Sequence, residues 1–159
     1  MSDTIFQAHI FQINASNGGV PKRPLRAAEV NFLGLSNDSH NDTVHHGGVE
    51  KALCLYSLEL IQQLQREGHP IFPGSTGENI TIVGFDWSLM EVGLRLELGD
   101  EVAIEITRYA TPCQTIRESF VAHEINRISW RTNHGWARAY ARVLRPGSIV
   151  IGDAVRPIS

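Results

Sequence analysis

The chain predicts a mostly β fold, a barrel or a sandwich, on three observations: several short apolar segments alternate with polar residues, glycine-rich turns separate them, and few stretches repeat at helical spacing. At 159 residues, 42% hydrophobic and 19% charged, the chain is long enough to bury one ordinary core without a disulfide or a metal, so a single domain over 1–159 is expected.

Residues 4–13 alternate, with Phe6, Ala8 and Ile10 on one face and Gln7 and His9 on the other, which predicts a first strand. Residues 14–24 collect Asn, Ser, Gly and Pro and predict a loop, and residues 28–32 a short strand. Residues 34–48 are polar and rich in Gly, Asn, Asp and His, so a long irregular loop is expected there. The apolar run 52–56 predicts a buried strand that carries Cys54 into the core. Ser57 then caps a helix in which Leu58, Ile61 and Leu64 recur, stopping at Gly68.

A second glycine-rich loop, residues 73–79, leads to a strand over 80–83. Leu94, Leu96 and Leu98 alternate with charges, turn at Gly99-Asp100 and resume as Val102, Ile104 and Ile106, a strong hairpin pattern. A helix is expected over 114–123 and a strand over 140–144. The end of the chain echoes the hairpin, with Ile149-Val150-Ile151 leading through Gly152-Asp153 to Ala154-Val155.

Net charge is −3, but residues 1–107 hold 14 acidic and 6 basic side chains whereas residues 108–159 hold 3 and 8. All eight late cations are arginines, whose planar fork suits phosphate or carboxylate, so an anionic small molecule is an expected partner; the competing explanation is a solvated charged face. An acidic domain without basic runs interleaved with aromatics argues against nucleic acid. No basic start precedes an apolar core near Met1, and no run approaches the ~20 apolar residues that cross a bilayer, so a cytoplasmic protein with no membrane partner is expected.

Two cysteines in such a compartment are expected to be free thiols. Cys54, between Leu53 and Leu55, reads as inert core. Cys113, in Thr111-Pro112-Cys113-Gln114 at a strand-to-helix turn near Arg108 and Arg117, is the candidate reactive thiolate, favoured by the positive end of the expected helix. His40, His45 and His46 with Asp38 and Asp42 match no familiar zinc spacing, and hydrogen bonding within the loop is the simpler reading. Gly47-Gly48 allows close approach of a ligand. Residues 74–79 lack the lysine and spacing of a nucleotide-binding P-loop, and Glu78 is expected to hold loop amides or accept from a ligand amino group. The absence of a Gly-x-Ser-x-Gly elbow argues against a hydrolase of that type.

In order along the chain stand Gly19-Val20-Pro21-Lys22, Gly34-Leu35 leading to His45-His46-Gly47-Gly48, Lys51-Ala52, Gly77-Glu78-Asn79, Gly99-Asp100, Thr107-Arg108, Pro112-Cys113, Arg142-Val143-Leu144 and Gly152-Asp153. This series resembles the MOSC family, named for the C-terminal domain of molybdenum cofactor sulfurase, and in particular its small stand-alone bacterial members. The resemblance implies a closed or partly open β-barrel of the pyruvate-kinase-barrel-like type with a few short helices. It implies that Cys113 ligates the molybdenum of a pterin cofactor or receives sulfur, that Lys22, Arg108 and Arg117 meet the pterin phosphate, and that His45, His46, Gly47, Gly48, Glu78 and Asn79 line the pocket.

Three functions follow from it as expectations. The first is reduction of N-hydroxylated compounds with electrons from a separate reductase. The second is a persulfide carrier served by a pyridoxal-phosphate cysteine desulfurase. The third is an anion-binding module without chemistry. Related chains often carry an arginine two or three residues before the cysteine, where this chain has Ala110 and Thr111.

Overall fold

A computed structural model describes residues 7–38 and 48–158. Alternation builds the first strand, β1 (His9–Ala15), which buries Ile10 and Ile13 and slips register between Ile10 and Gln12, so that the burial phase changes part-way along. The expected loop after it contains a short strand, β2 (Arg23–Leu25), paired to β1. Pro24 masks it in the sequence, yet β2 lies at the edge of its sheet, where a residue without an N–H is tolerated. Then come β3 (Ala27–Asn31) and β4 (Gly34–Leu35), the latter inside the stretch expected to be irregular throughout.

β5 (Leu53–Ser57) is fully buried, as a continuous apolar run requires. Ser57 caps α1 (Leu58–Arg66), its side chain accepting from the Leu60 amide at 3.2 Å. Leu58, Ile61 and Leu64 form the buried stripe of that helix. The chain returns through residues 73–79 to β6 (Ile80–Val83), the parallel partner of β5. The hairpin β7 (Arg95–Leu98) and β8 (Val102–Tyr109) turns at Gly99-Asp100. β9 (Ala139–Arg145), β10 (Gly147–Val150) and β11 (Val155–Pro157) complete the set.

One sheet has eight strands in the order β11-β7-β8-β9-β5-β6-β1-β2, and a second has three in the order β10-β3-β4. The chain-end echo is therefore no hairpin: β10 pairs with β3 and β11 with β7, so Gly152-Asp153 is a corner between two sheets. A bridge between His9 and Ala154, with the Val155 amide donating to Ala8 O at 2.9 Å, draws the far ends of the large sheet towards each other. The result is a mostly β, partly open barrel whose core runs from Ile10 and Ile13 through Leu53, Leu55, Ile80 and Ile82 to Leu96, Ile104 and Ile106.

The helix expected over 114–123 is absent. Its residues form short 3-10 turns, Gln114–Ser119 and Val121–His123, interrupted where Ala122 and His123 adopt φ of 54° and 56°. Tertiary contact dictates this shape. Phe120 packs edge-on against the His69 ring at 5.4 Å, and the Val121 amide donates to His69 Nδ1 at 3.1 Å, contacts that a continuous helix would pull apart.

Candidate functional site

Cys113 leaves the end of β8 through residues 110–112, a segment held by the Ala110 amide donating to Arg138 O at 2.8 Å. Its backbone is extended, with φ −131° and ψ 171°, and it opens the first 3-10 turn rather than a long helix. The thiol is free and partly exposed, with Sγ 2.7 Å from the Thr115 hydroxyl. A hydroxyl at that position can donate to sulfur when sulfur carries charge. Arg117 turns back to its own segment, donating to Gln114 O at 2.8 Å and lying 3.6 Å from Glu118. Cys54 is also free but buried, and burial pushes its thiol up to about 11 against a lesser downward pull from Arg138.

A polar centre is buried inside the barrel. Glu78 is fully buried and accepts from the Gly74 amide at 2.9 Å, the Thr76 hydroxyl at 2.7 Å and the Thr81 hydroxyl at 3.2 Å. Asn79 accepts from the Cys54 amide at 2.9 Å and donates to Asp38 at 2.8 Å. Asp38 is also ion-paired with buried Lys22. Arg138 is 5% exposed and donates through Nη1 to Thr76 O at 2.7 Å. Its Nε is buried with no hydrogen-bond partner among the described residues. Burial first, then the charge of Cys54, pushes the Tyr140 phenol up to about 12, with Arg138 opposing, Cys113 adding a smaller upward contribution and Arg108 a smaller downward one.

The family is settled by comparison. Residues 42–156 match the MOSC domain. The chain belongs to the MOSC domain family. That family is associated with binding of the molybdenum cofactor.

Among relatives of this MOSC domain, the uncharacterized protein YflK of Bacillus subtilis is 30% identical over 143 residues, covering 89% of this chain and 63% of YflK. A protein named reductase from Gibberella moniliformis is 28% identical over 127 residues, covering 77% of this chain and 22% of that protein. The MOSC chain thus spans less than two thirds of either relative's length. YiiM of Geobacillus stearothermophilus superposes with a TM-score of 0.71 at 22% identity, covering 96% of this chain and 75% of YiiM. YuaD of Bacillus subtilis gives 0.73 at 17%, covering 94% of each chain.

The fold brings some of the residues expected at a site together. Lys22, Glu78 and Asn79 share one buried network with Asp38, on the inner side of the 73–79 loop. Gly48 starts the turn Val49–Lys51 with φ 84°. Arg108 and Arg117 flank Cys113 in sequence but differ in engagement, since only Arg117 has a carboxylate neighbour. His40, His45, His46, Gly47 and Asp42 lie outside the described residues.

Arg138 and Tyr140 were missed in the sequence. The sequence carries no clear signal for either, because arginine is almost never buried unless paired, and the partner of Arg138, Thr76 O, lies 62 residues away. Among the described residues no group of three His, Cys, Asp or Glu side chains is arranged to hold a metal ion, and no helix is long and apolar enough to cross a membrane.

Two cavities border the Cys113 segment. One of about 520 Å³ begins at Gln114 and runs past His123, Asn126 and Asn133. The other, of about 290 Å³, includes Arg108 and Thr111.

Proposed function

We propose that this chain holds a molybdenum-pterin cofactor at Cys113 and serves the reduction of N-hydroxylated compounds, with electrons from a redox protein outside residues 1–159. The observation that carries the reading is a buried guanidinium, that of Arg138, whose Nε lacks a partner among the described residues, in a chain that also presents a free, partly exposed thiol at Cys113. Buried polar atoms in folded proteins are almost always paired, so an orphan buried donor argues for a ligand group. A soft thiolate suits molybdenum, and Arg138 suits the acceptor atoms of the pterin part, so the residues present fit the group.

When bound, molybdenum would supply two-electron oxidation and reduction, and the reaction as a whole turns an N–OH compound, two protons and two electrons from the external redox protein into the N–H compound and water. Cys113 would provide the sulfur ligand, and the Thr115 hydroxyl, 2.7 Å from that sulfur, is placed to donate to it once the thiol has lost its proton. Tyr140, held up to about 12, keeps its phenolic proton at neutral pH. Glu78, by fixing Gly74 and Thr76, holds the carbonyl that orients Arg138. The reductase relative supports a redox reading, and the remaining length of that protein leaves room for the electron source.

The test is to express the protein with molybdate and measure bound molybdenum and pterin in wild type, Cys113→Ala and Arg138→Gln. Near-stoichiometric metal in wild type, lost in Cys113→Ala and weakened about tenfold in Arg138→Gln, is expected. Absence of metal from all three defeats the proposal. If Cys113 instead gains the mass of one sulfur after incubation with a cysteine desulfurase, the persulfide carrier replaces it.

A further inference from the structure

The eight arginines of residues 108–159 do not remain available as an undifferentiated positive face. Arg127 pairs with Glu67, Arg142 with Glu105 and Glu50, Arg145 with Glu97, Arg156 with Asp100 and Arg117 with Glu118, while Arg138 is bonded to Thr76 O. Arg108 and Arg131 differ from the other six: among the described residues neither side chain has an ion pair or a hydrogen bond, although both are exposed. They come from distant places in the chain, yet both line the cavity of about 290 Å³.

The rest of that cavity is equally specific. Tyr109 and Trp130 line it and stack on each other, with ring centroids 5.6 Å apart and planes 13° from parallel. His134 backs Trp130 at 4.8 Å, and the Tyr109 hydroxyl donates to Met90 O at 3.0 Å, so the aromatic wall is braced from both ends. Thr111 and Ser129 contribute hydroxyls, and no carboxylate belongs to the lining. Glu91 is the nearest acidic influence, felt at the Tyr109 phenol as a secondary contribution to its raised pKa. Two guanidinium groups without partners among the described residues, lining one cavity with a stacked aromatic pair, form a combination that recognises a flat ring bearing a negative charge.

We infer that this cavity is a binding site for small planar anions, in which Arg108 and Arg131 clamp a carboxylate or similar anionic group while the attached ring packs against Tyr109 and Trp130. The volume limits the guest to about one ring with its substituents, because drug-sized ligands occupy cavities of roughly 300 Å³ and upward. Thr111 joins the cavity to Cys113 two residues on, so the site would select which molecules approach the reactive sulfur. Of the clamp and the wall, only Arg108 is also among the residues that the family resemblance implies for the pterin phosphate, so the variants that test the site are made at Arg131.

Benzoate, with neutral benzamide as its matched control, is the probe. Titration of the purified protein, followed through the Trp130 indole resonance assigned with Trp130→Phe, is expected to saturate with benzoate. Affinity for benzamide should be about tenfold lower, as should affinity for benzoate in Arg131→Gln, each change removing one charge-assisted contact. Arg131→Lys should recover part of the loss, because charge remains while the fork geometry is gone.

Molybdenum content separates this site from the proposed cofactor centre. Arg131→Gln should retain the metal of wild type, and Cys113→Ala should retain benzoate binding. Equal affinity for benzoate and benzamide, or no saturable shift, overturns the inference. So does loss of the cofactor in Arg131→Gln, which would show that the two arginines serve the cofactor's own anion.

Discussion

The two cysteines of this MOSC domain show how position decides chemistry. Cys54 is surrounded by Leu53, Leu55 and the Asn79 amide group, and burial holds its proton on to about 11. Cys113 is partly exposed with a hydroxyl against its sulfur. Iodoacetamide at neutral pH should therefore modify Cys113 and spare Cys54 until the protein unfolds, and mass spectrometry of the digested protein reads the two sites separately; equal labelling of both would contradict the burial of Cys54. The same burial makes a prediction about alkali. The folded pKa of Cys54 lies above its ordinary 9.0, so its contribution to stability is intact below pH 9 and is lost as pH rises from 9 towards 11. Two units correspond to about 3 kcal/mol at most. Urea unfolding of wild type and Cys54→Ala should show the steeper loss across that window in wild type, and parallel curves would refute the assignment. The neighbours of Cys54 were readable in the sequence, because an unbroken apolar run admits little else. The placement of Cys113 was not, because it depends on the pairing of β8 with β9, which holds the Ala110 amide on Arg138 O three residues before the thiol.

At the scale of the element, the 73–79 loop is the feature on which the buried centre depends. Gly74 has φ 91°, and a Cβ there would lie 2.4 Å from Lys22 O, a backbone atom that cannot move without shifting the Lys22–Asp38 pair. Gly74→Ala should therefore cost several kcal/mol, on the order of 3 or more, from combined clash and left-handed strain. Its signature would be a large fall in thermal stability together with exposure of Cys54 to alkylation; a drop under about 1 kcal/mol would show that the loop relaxes freely. The glycine-rich character of this loop was legible, and so was the capping of α1 by Ser57, because both are local. The strands with clear alternation, such as β7 and β8, were legible for the same reason. The segment after Cys113 was not. Its residues tolerate a helix, but Phe120 is drawn to His69 and Ser119 to Ser75 O, so packing overrides local preference.

For the whole molecule, the charge asymmetry between the two parts of the sequence takes on a different meaning once the chain is folded. Acidic side chains from residues 1–107 meet arginines from residues 108–159 across strands, as in Arg142 with Glu50 and Glu105, and most of the late positive charge is neutralised inside the fold. Exposed pairs of this kind contribute little each, so they do not hold the barrel together. Closure rests instead on the corner at Gly152-Asp153, which sequence pattern presented as the turn of a hairpin. Asp153 O accepts from the Ile10 amide at 2.9 Å, Gly152 N donates to Ile10 O at 2.8 Å, and the Asp153 carboxylate accepts from the Val150 amide at 2.9 Å. Gly99, at the turn of the β7–β8 hairpin, packs so closely that a Cβ there would fall 2.6 Å from Asp153 Oδ2. This one residue therefore ties β1, β10 and the β7–β8 turn at the point where the chain passes from the small sheet to the large one. Asp153→Ala removes the side-chain acceptor while leaving the backbone bonds in place, and should cost about 1–2 kcal/mol. Asp153→Asn keeps a carbonyl oxygen for the Val150 amide and should recover most of it. Hydrogen exchange gives the decisive readout, because loosening of the corner should speed exchange at the Ile10 and Val155 amides, which bridge the barrel ends, ahead of the amides in β5. Uniform acceleration across all strands would mean that the corner stabilises the fold as a whole and has no special part in closing it.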